Sequence, residues 1–407
     1  MEPVRSLLGV CRSTGRVAVG NAVGGAGVGH PATLGVFCCC LLLLSLPLQA
    51  APLTPNQQAA FDGAYSTGSD SALFETILSQ SDPDQAAELY SHLSGDAHAS
   101  YASSVMLADL DLSRAPLGNL RRNLSDPARA LPFWVQVYKG KSRVDDDGNA
   151  GEAEQKFDGM LLGGDLPMLG DWRLGGAFGY GGERLDVDSR DARADSDSYR
   201  YALYGGRDLD LSFGALKFSG GAGYSEHQID SRRNVELISE EERLSRRYDV
   251  TTQQAFGELA YHLKLAEPAY IEPFIGLLSL EQRSDAFREQ GGEAALSAES
   301  QRHHLLSTST GVRGQQLFLL VGRELLLYGS FTWRQLSGDL RPEMEFSFEG
   351  GDLFKVRGSE LPRNSYLVEL NADYSLTPNL VVDLDYSGAF STSSRSNSFA
   401  VNLRWKM

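Results

Sequence analysis

The chain has 407 residues, of which 42% are apolar, with a formal net charge of −16 at pH 7 and a mean hydropathy of −0.25. The acidic balance excludes nucleic acid as a partner, because a phosphate backbone binds basic surfaces. Beyond the first fifty residues, no run reaches the roughly 18 apolar residues that a helical membrane span needs.

Residues 1–50 are predicted to be a secretory signal peptide. Three arginines precede an apolar core at residues 32–46, and small residues follow near Ala50. The positive region is long for a signal peptide, which a start codon set too far upstream would explain. All four cysteines lie within the first forty residues. The sequence therefore predicts a mature protein without disulfide or thiolate chemistry.

Residues 51–130 are predicted to be helical. In residues 51–98 apolar positions recur every three or four residues between Gly, Ser, Asp and Pro, which indicates short helices. A longer helix is predicted from about Ala97 to Asn123, with Pro116 kinking or ending it. Its mixture of small, polar and basic residues lacks a wide apolar stripe and suits a polar enclosure. Residues 99–130 are therefore interpreted as a lumen or linker helix.

Residues 131–407 carry a period-two pattern. In the last twelve residues, apolar side chains alternate with small, polar or charged ones. The apolar positions are Phe399, Val401, Leu403, Trp405 and Met407. A soluble β-sandwich would give the same alternation. The runs are roughly 10–15 residues, against about 5–6 for an average strand, and aromatic residues cluster at their ends, as an interfacial girdle requires. The sequence therefore favours an all-β transmembrane barrel.

About twelve antiparallel strands are predicted in this region, joined alternately by short and long connections. The spans are 132–140, 156–167, 170–185, 196–209, 211–229, 247–264, 269–282, 301–315, 322–337, 364–376, 379–390 and 397–407. The short connections are expected to be periplasmic turns. The long, charged connections are expected to be extracellular loops whose composition is set by solvation and not by packing.

An ordered set of motifs resembles the autotransporter (type V secretion) translocator family from about Pro55 to Met407. The motifs are PNQQAAF, LYSHLSGDAHAS, FWVQVYKG, LLGGDLPMLGDWRLGGAFGY, YALYGG, FGELAYHL with AYIEPFIGL, TGVRG, LVVDLDYSG and FAVNLRWKM. The resemblance implies a monomeric twelve-stranded barrel in the outer membrane of a Gram-negative bacterium. It also implies a lumen helix that leads in from a secreted passenger, and as partners outer-membrane lipid, periplasmic chaperones and the barrel-assembly machinery.

The terminal strand departs from the family pattern in two places. Asn402 stands where the family usually has Gly, and Met407 replaces the usual terminal Phe, while Trp405 keeps the aromatic residue two before the end. Because the resemblance implies that the assembly machinery reads this strand, Met407 bears on the efficiency of assembly.

The segment before the barrel is short for the family, whose members usually carry hundreds of passenger residues. Residues 51–98 resemble the stretch just upstream of the barrel and are interpreted as a passenger remnant, vestigial or belonging to a passenger encoded upstream. The expected function is therefore to move or anchor a passenger at the cell surface, without enzyme activity or a cofactor. The alternatives are an adhesin-like surface module presented by the loops, and a passive outer-membrane pore.

Two groups of residues resemble metal sites and are interpreted as structural. His303 and His304 lie near Glu299, but adjacent residues of a strand point to opposite faces. An acidic stretch lacks the Gly-then-Glu spacing of a calcium loop and is interpreted as a solvated loop. Its members are Asp186, Asp188, Asp191, Asp195 and Asp197.

Ser94, Asp96 and His98 form the one cluster with a catalytic composition. No oxyanion-forming element accompanies it, and it falls where the family has a structural stretch, so a structural role is predicted. Asn119 and Asn123 do not form a complete self-cleavage signal either, because the paired asparagines of the self-cleaving subfamily are missing. They are interpreted as residues near a helix end.

The basic residues of the lumen helix give the main functional hypothesis. Arg114, Arg121 and Arg122 are predicted to pair with acids on the inner wall of the barrel, because buried charges must be paired or solvated. The predicted acids are Glu369, Asp373, Asp383 and Asp385. These pairs would seat the helix in the lumen. The alternative is a basic run that snorkels to the membrane surface.

Overall fold

The structure, a computed structural model, describes residues 52–238, 240–266 and 269–406. The predicted signal peptide, with its four cysteines, and the terminal Met407 lie outside these ranges. The described N-terminal part is helical: α1 (Pro55–Tyr65), α2 (Ala72–Ser79), α3 (Pro83–Leu93), α4 (Asp96–Asp109) and α5 (Arg114–Ser125). Short 3-10 turns follow at Pro127–Arg129, Leu169–Asp171 and Asp188–Arg190.

Twelve long strands form one closed antiparallel barrel, which confirms the predicted fold. They are β1 (Phe133–Val144), β2 (Ala153–Pro167), β3 (Arg173–Val187), β4 (Ala192–Leu211), β5 (Gly214–Glu236), β6 (Glu241–Ala266), β7 (Ala269–Ser284), β10 (Gln301–Leu320), β11 (Arg323–Gly338), β14 (Asn364–Thr377), β15 (Leu380–Phe390) and β16 (Ser394–Trp405). Each strand pairs with its neighbour in the chain, and β1 pairs with β16 to close the barrel.

The alternation in the sequence sets the two faces of the barrel wall. On β16, Phe399 and Val401 point outward and are 65% and 51% exposed, whereas Asn402 and Arg404 point inward and are buried. An apolar outward face and a polar inward face are typical of a barrel wall with lipid outside and a polar lumen inside.

The wall is much taller on one side. Strands β4, β5 and β6 have 20, 23 and 26 residues, about twice the 9–11 that cross a bilayer. The excess lies at the end with the long connections, which is the extracellular end in barrels of this kind. There the inner faces of β5 and β6 turn apolar, with Ile229, Val235, Leu244 and Val250 almost fully buried.

Two long connections form a second sheet, so the expectation that packing does not determine their composition is wrong for them. The strands are β8 (Phe287–Arg288), β9 (Ser297–Ala298), β12 (Glu343–Ser347) and β13 (Phe354–Arg357). They pair in the order β13-β12-β9-β8. Phe346 and Val356 of this sheet are 0% exposed. Their apolar residues pack against the N-terminal helices, and this burial orders the connections.

Helices α1 to α4 pack under this sheet in the mouth of the barrel at the end with the long connections. Together with the apolar inner faces of β3 to β6 they form one continuous hydrophobic core. We call residues 52–112, together with the four-stranded sheet, the cap. Gly358 of the cap approaches the backbone of Ala99 so closely that an added Cβ would lie 2.3 Å from its carbonyl carbon.

The predicted long helix is two helices, and the break does not lie at Pro116. The chain leaves the helical path between Leu110 and Ser113, and Pro116 occupies the first turn of α5. A proline fits there because the first-turn amides have no partner within the helix. Among the described residues, no helix has both the length and the hydropathy required to span a membrane.

Candidate functional site

Helix α5 lies inside the lumen, against one wall. Its apolar side, formed by Leu117, Leu120 and Leu124, is buried and contributes to a core that includes Tyr204 of β4. A Cβ at Gly206 would lie 3.1 Å from the Leu120 side chain and 3.2 Å from that of Leu124. The small residue at this position lets the helix approach the wall, and the opposite side of the helix then faces the lumen.

Arg122 forms a network of four buried charges with one residue each of β14, β15 and β16. Its Nε lies 3.1 Å from Asp373 Oδ2. The same carboxylate binds Arg404 Nη2 at 2.5 Å, and Arg404 Nε binds Asp383 Oδ2 at 2.7 Å. Arg122 also stacks over the Tyr328 ring, 5.0 Å from its centre. The two positive charges of the arginines therefore neutralise the two negative charges of the aspartates in a site shielded from water.

Arg121 points toward a different wall from the one predicted. Its Nη1 lies 3.5 Å from Glu258 Oε1 on β6, and Glu258 also binds Arg313 Nη2 at 2.5 Å. Arg313 Nε also lies 2.6 Å from Glu272 Oε1, and Lys217 Nζ lies 2.9 Å from the same carboxylate. The acids Glu258 and Glu272 were not among the predicted lumen acids, although they lie on the polar faces of alternating strands.

Arg114 anchors the start of α5. Its Nε lies 2.8 Å from Glu369 Oε1, and its Nη2 lies 2.8 Å from Asp111 Oδ1. Asp111 in turn binds Arg334 of β11 at 2.8 Å. Of the predicted acids, Glu369 and Asp373 thus contact the helix arginines directly.

The other two predicted acids bind residues of the barrel wall. Asp383 pairs with Arg404, and Asp385 accepts hydrogen bonds from Asn371, Asn402 and Gln136. They lie close to the helix without a direct hydrogen bond to it in the described part of the chain.

Asn123 fixes the end of α5 to the start of the barrel. Its Nδ2 donates to Asp165 Oδ2 at 2.7 Å, and its Oδ1 accepts from Leu131 N at 2.8 Å. Asp165 also binds Arg173 Nε at 2.9 Å. Asn119 lies in a different setting, because its Nδ2 donates to Ala115 O within the same helix. The chain between the helix and β1 is therefore held by a side-chain amide.

Asp109, at the end of α4, is a buried anchor that the sequence pattern did not single out. This residue is 0% exposed. His227 Nε2 lies 2.9 Å from its Oδ2 and Arg200 Nε lies 3.3 Å from its Oδ1. Thr252 donates to the same carboxylate, and Gln254 donates to the Asp109 carbonyl. Four side chains from β4, β5 and β6 thus fix one end of α4. A lone aspartate in a helix gives no local signal of such a role.

Glu289 links α4 to the upper wall inside the cap. Its carboxylate binds His98 Nε2 at 2.9 Å, Arg233 Nη2 at 2.7 Å and the Leu296 amide at 2.9 Å. Burial alone would raise the pKa of Glu289, but Arg233 and His98 hold this pKa at about 2. The carboxylate is therefore charged over most of the pH range, and its neighbours are arranged to stabilise that charge.

The residues with a catalytic composition do not form a catalytic cluster. Asp96 pairs with Arg190 at 3.0 Å, whereas His98 contacts Glu289 and Tyr248. Ser94 Oγ donates to Ser91 O and accepts from the Asp96 amide. Each residue serves a separate structural contact, as predicted from the sequence.

The residues that resemble metal ligands are also dispersed. His303 is buried against the Glu343 carbonyl, and His304 is exposed on the opposite face of β10. In the acidic stretch, Asp186 and Asp195 pair with arginines on the neighbouring strand. The described residues contain no group of three His, Cys, Asp or Glu side chains that could hold a metal ion.

A cavity of about 240 Å³ remains between α5 and the wall opposite to its apolar contact. Small and amide side chains of β14, β15, β16 and β1 line it, among them Gln136, Ser387, Ser396, Ser398 and Asn402. The helix therefore lies off the barrel axis, and a space lined by both polar and apolar side chains remains beside it.

Comparison with known proteins identifies related sequences and folds. A family model described as the autotransporter beta-domain matches residues 133–387. Two curated relatives, each described as an extracellular serine protease of Serratia marcescens, are 28% identical over 341 residues, which is 82% of this chain and 32% of the relative. The chain thus spans about a third of the length of these curated relatives.

Solved structures share the fold. The translocator domain of the autotransporter NalP from Neisseria meningitidis superimposes with a TM-score of 0.56 at 16% identity, covering 75% of this chain and 98% of that chain. The transport unit of the autotransporter AIDA-I from Escherichia coli gives a TM-score of 0.51 at 17% identity, covering 68% and 90%. At these identities the similarity demonstrates the fold alone.

Proposed function

The chain belongs to the autotransporter β-domain family, and from this premise we propose that its outer-membrane translocator is closed by its own N-terminal segment after that segment has crossed the barrel. The translocator barrel is not itself catalytic. In this proposal α5 fills the lumen at the level of the membrane, and the cap fills the extracellular mouth.

The ion pairs of α5 carry the proposal. Arg122 and Arg121 are 13% and 19% exposed, and their carboxylate partners Asp373 and Glu258 are 5% and 12% exposed. Charges that are this buried are stable only with fixed counterions. The barrel supplies these counterions on two separate walls. Such an arrangement suits a helix that remains in the lumen better than one that passes through it.

The apolar interior of the mouth supports the same conclusion. The inner faces of β5 and β6 above the membrane would expose apolar surface to water if the cap were absent. Apolar surface of this kind is unfavourable in a water-filled conduit. The cap covers it, which favours a closed lumen over the passive-pore alternative. Because two of the long connections are folded into the cap, they are also less suited to the role of adhesin loops.

We assign the segments of the chain in the same way. Residues 1–50 are proposed as the signal peptide, residues 51–98 as the passenger remnant, residues 99–130 as the lumen and linker helix, and residues 131–407 as the barrel. The terminal strand from Phe399 to Met407 is proposed as the segment that the barrel-assembly machinery reads, after periplasmic chaperones have escorted a monomeric chain.

The protease activity named for the curated relatives belongs to proteins of which the part matched by this chain is 32%. We propose that the described residues contribute transport and anchoring to such a system and no catalytic group. The passenger in this proposal is whatever segment lies ahead of residue 99, here including the cap helices α1 to α3.

Single cysteines test the proposed location of the cap, because the chain has no cysteine after Cys40. Ser69→Cys lies in the exposed turn between α1 and α2, and the control Ser212→Cys lies in the exposed turn between β4 and β5 at the opposite end of the barrel. Intact cells of a Gram-negative host are treated with a membrane-impermeant maleimide.

The proposal predicts that Ser69→Cys is labelled on intact cells and that Ser212→Cys is labelled only after the outer membrane is permeabilised. Labelling of Ser69→Cys only after permeabilisation would place the N-terminal segment on the periplasmic side and would contradict the proposal. Heat-dependent migration of both variants confirms that each barrel is folded.

A further inference from the structure

The outer face of the barrel carries a basic patch at the seam where β1 meets β16. We define the patch by its six outward-facing cations: Lys139, Lys141, Arg143, Lys156, Arg184 and Arg395. They occupy four neighbouring strands, β16, β1, β2 and β3, and all six side chains are exposed. None of them takes part in the lumen contacts described above.

Three pairs of these cations lie directly opposite each other in the sheet. Arg143 pairs in register with Arg395, Lys141 with Lys156, and Lys156 with Arg184. Like charges in directly opposed positions destabilise an antiparallel sheet. Such a row is therefore unfavourable unless negative charge lies close to it.

The protein supplies only part of this negative charge. Glu154 is shared by two lysines, at 2.8 Å from Lys141 and 3.0 Å from Lys156. Arg143 pairs with Glu152, and Arg184 pairs with Asp195 at 2.7 Å.

Among the described residues, Lys139 and Arg395 form no ion pair, although Asp158 stands opposite Lys139 in the sheet. A groove of about 970 Å³ runs over the patch. Lys139, Lys141, Lys156 and Arg184 line it together with acids of β2 to β5, among them Asp158, Asp195 and Asp230, and with Arg247 of β6. The basic end of the groove is therefore the part that remains open to an external anion.

The height of the patch on the barrel indicates the source of that anion. Lys139 lies in register with Phe399 of the outer aromatic girdle, in which Phe399 contacts Tyr386 with ring centres 5.2 Å apart. Arg395 is four residues further up β16, which is about 10 Å higher for a rise of about 3.3 Å per residue on a tilted strand. The patch therefore occupies the headgroup layer directly above the hydrocarbon.

We propose that this patch binds the phosphate groups of a phosphorylated glycolipid in the outer leaflet, with Lys141, Lys156 and Arg395 as the principal contacts. The acyl chains of such a lipid would lie against the apolar belt below, where Val137 and Val401 are 57% and 51% exposed. The lipid would then hold the seam between the first and last strands. This inference rests on the outer-membrane placement and does not depend on closure of the lumen.

The test uses the full-length folded protein in detergent and measures its affinity for fluorescent lipopolysaccharide. The variant K141Q/K156Q/R395Q is compared with R193Q/R232Q/R243Q, which removes the same number of exposed cations from the outward faces of β4, β5 and β6 at positions that do not line the groove. The competing probes are lipopolysaccharide whose lipid A phosphates have been removed and inorganic phosphate. Heat-dependent migration and the melting temperature without lipid report the folding of each variant.

The proposal predicts that the seam variant binds lipopolysaccharide at least tenfold more weakly than the wild type, while the control variant loses no more than twofold. It also predicts that the dephosphorylated glycolipid competes poorly. Without lipid, the seam variant is expected to melt close to the wild type, because the loss of opposed like charges offsets the loss of the exposed ion pairs with Glu154.

Four outcomes would overturn the proposal. Unchanged binding by the seam variant would show that the patch is not the binding site. An equal loss of affinity in the control variant would show that the loss depends on net charge and not on the position of the cations. Equal competition by the dephosphorylated glycolipid would exclude phosphate recognition. Displacement by inorganic phosphate at millimolar concentration would indicate a site for free phosphate in place of a lipid.

Discussion

Replacing Arg122 with methionine tests whether ion pairs seat α5. Methionine keeps an apolar chain over the Tyr328 ring, which the guanidinium contacts at 5.0 Å, and removes the charge that binds Asp373 at 3.1 Å. Removing one partner of a buried ion pair costs about 3–5 kcal/mol when the other charge is left alone. Here Asp373 keeps Arg404, so the expected loss is smaller, about 2–3 kcal/mol.

This free energy is measured as hydrogen exchange of the α5 backbone amides in the folded full-length protein. A loss of about 2–3 kcal/mol raises the exchange rate of amides that open locally by about 30- to 150-fold. The control is Arg129→Met, because Arg129 is 69% exposed and its pair with Glu324 lies in solvent. Exposed pairs contribute about 0–1 kcal/mol, so this variant is expected to change exchange less than fivefold.

A double-mutant cycle separates the ion pair from other effects. If Arg122 acts through Asp373, the combination of Arg122→Met with Asp373→Asn costs less than the sum of the two single changes, because the second change removes a charge that the first has left poorly paired. Strict additivity, or wild-type exchange in Arg122→Met, would refute the argument that this pair seats the helix.

Three further changes probe the cap and the terminal strand. Because the folded pKa of Glu289 is about 2 and its ordinary value is 4.5, its contribution to cap stability is present above about pH 4.5 and is lost as the pH falls toward 2. The protection of the α4 amides, measured by hydrogen exchange corrected for the intrinsic rate at each pH, should therefore fall over that interval, and Glu289→Gln should weaken this dependence. Phe346→Ala, at a 0% exposed position, should lower the free energy of cap unfolding by about 3–5 kcal/mol. Phe213→Ala, at an 87% exposed position, should change this free energy by less than about 0.5 kcal/mol. Proteolysis at increasing urea concentrations measures both. Trp405→Ala removes a ring stacked 6.1 Å from Phe133 across the seam and should lower the folded fraction on heat-modified gels; an unchanged fraction would exclude a role in assembly.

The barrel was predictable from the sequence because its signal is local. Alternation of apolar and polar side chains along each run determines the strand and its two faces, and all twelve predicted spans overlap strands of the barrel. The same alternation placed Glu369 and Asp373 on the inner wall, where they meet Arg114 and Arg122.

The orientation of α5 was not predictable in this way. Arg121 meets Glu258 because Leu120 and Leu124 pack against the wall at Gly206, which sets the rotation of the helix. That contact joins residues more than eighty positions apart in the sequence. A pattern confined to one segment contains no information about it.

The cap was missed for a related reason. Its sheet consists of strands of two to five residues from two separate connections, which is too short for a periodic signal. Phe346 and Phe354 are buried only because α1 and α4 pack against them. Charged residues on the outer side of the same connections made them resemble solvated loops.

The conductance of the intact folded protein in a planar lipid bilayer tests the central claim most directly. With α5 and the cap in place, the account predicts small and infrequent currents, and it predicts large steady currents for the same barrel from which residues 52–125 have been deleted. Large steady currents through the intact protein would contradict a lumen that is closed by the N-terminal segment.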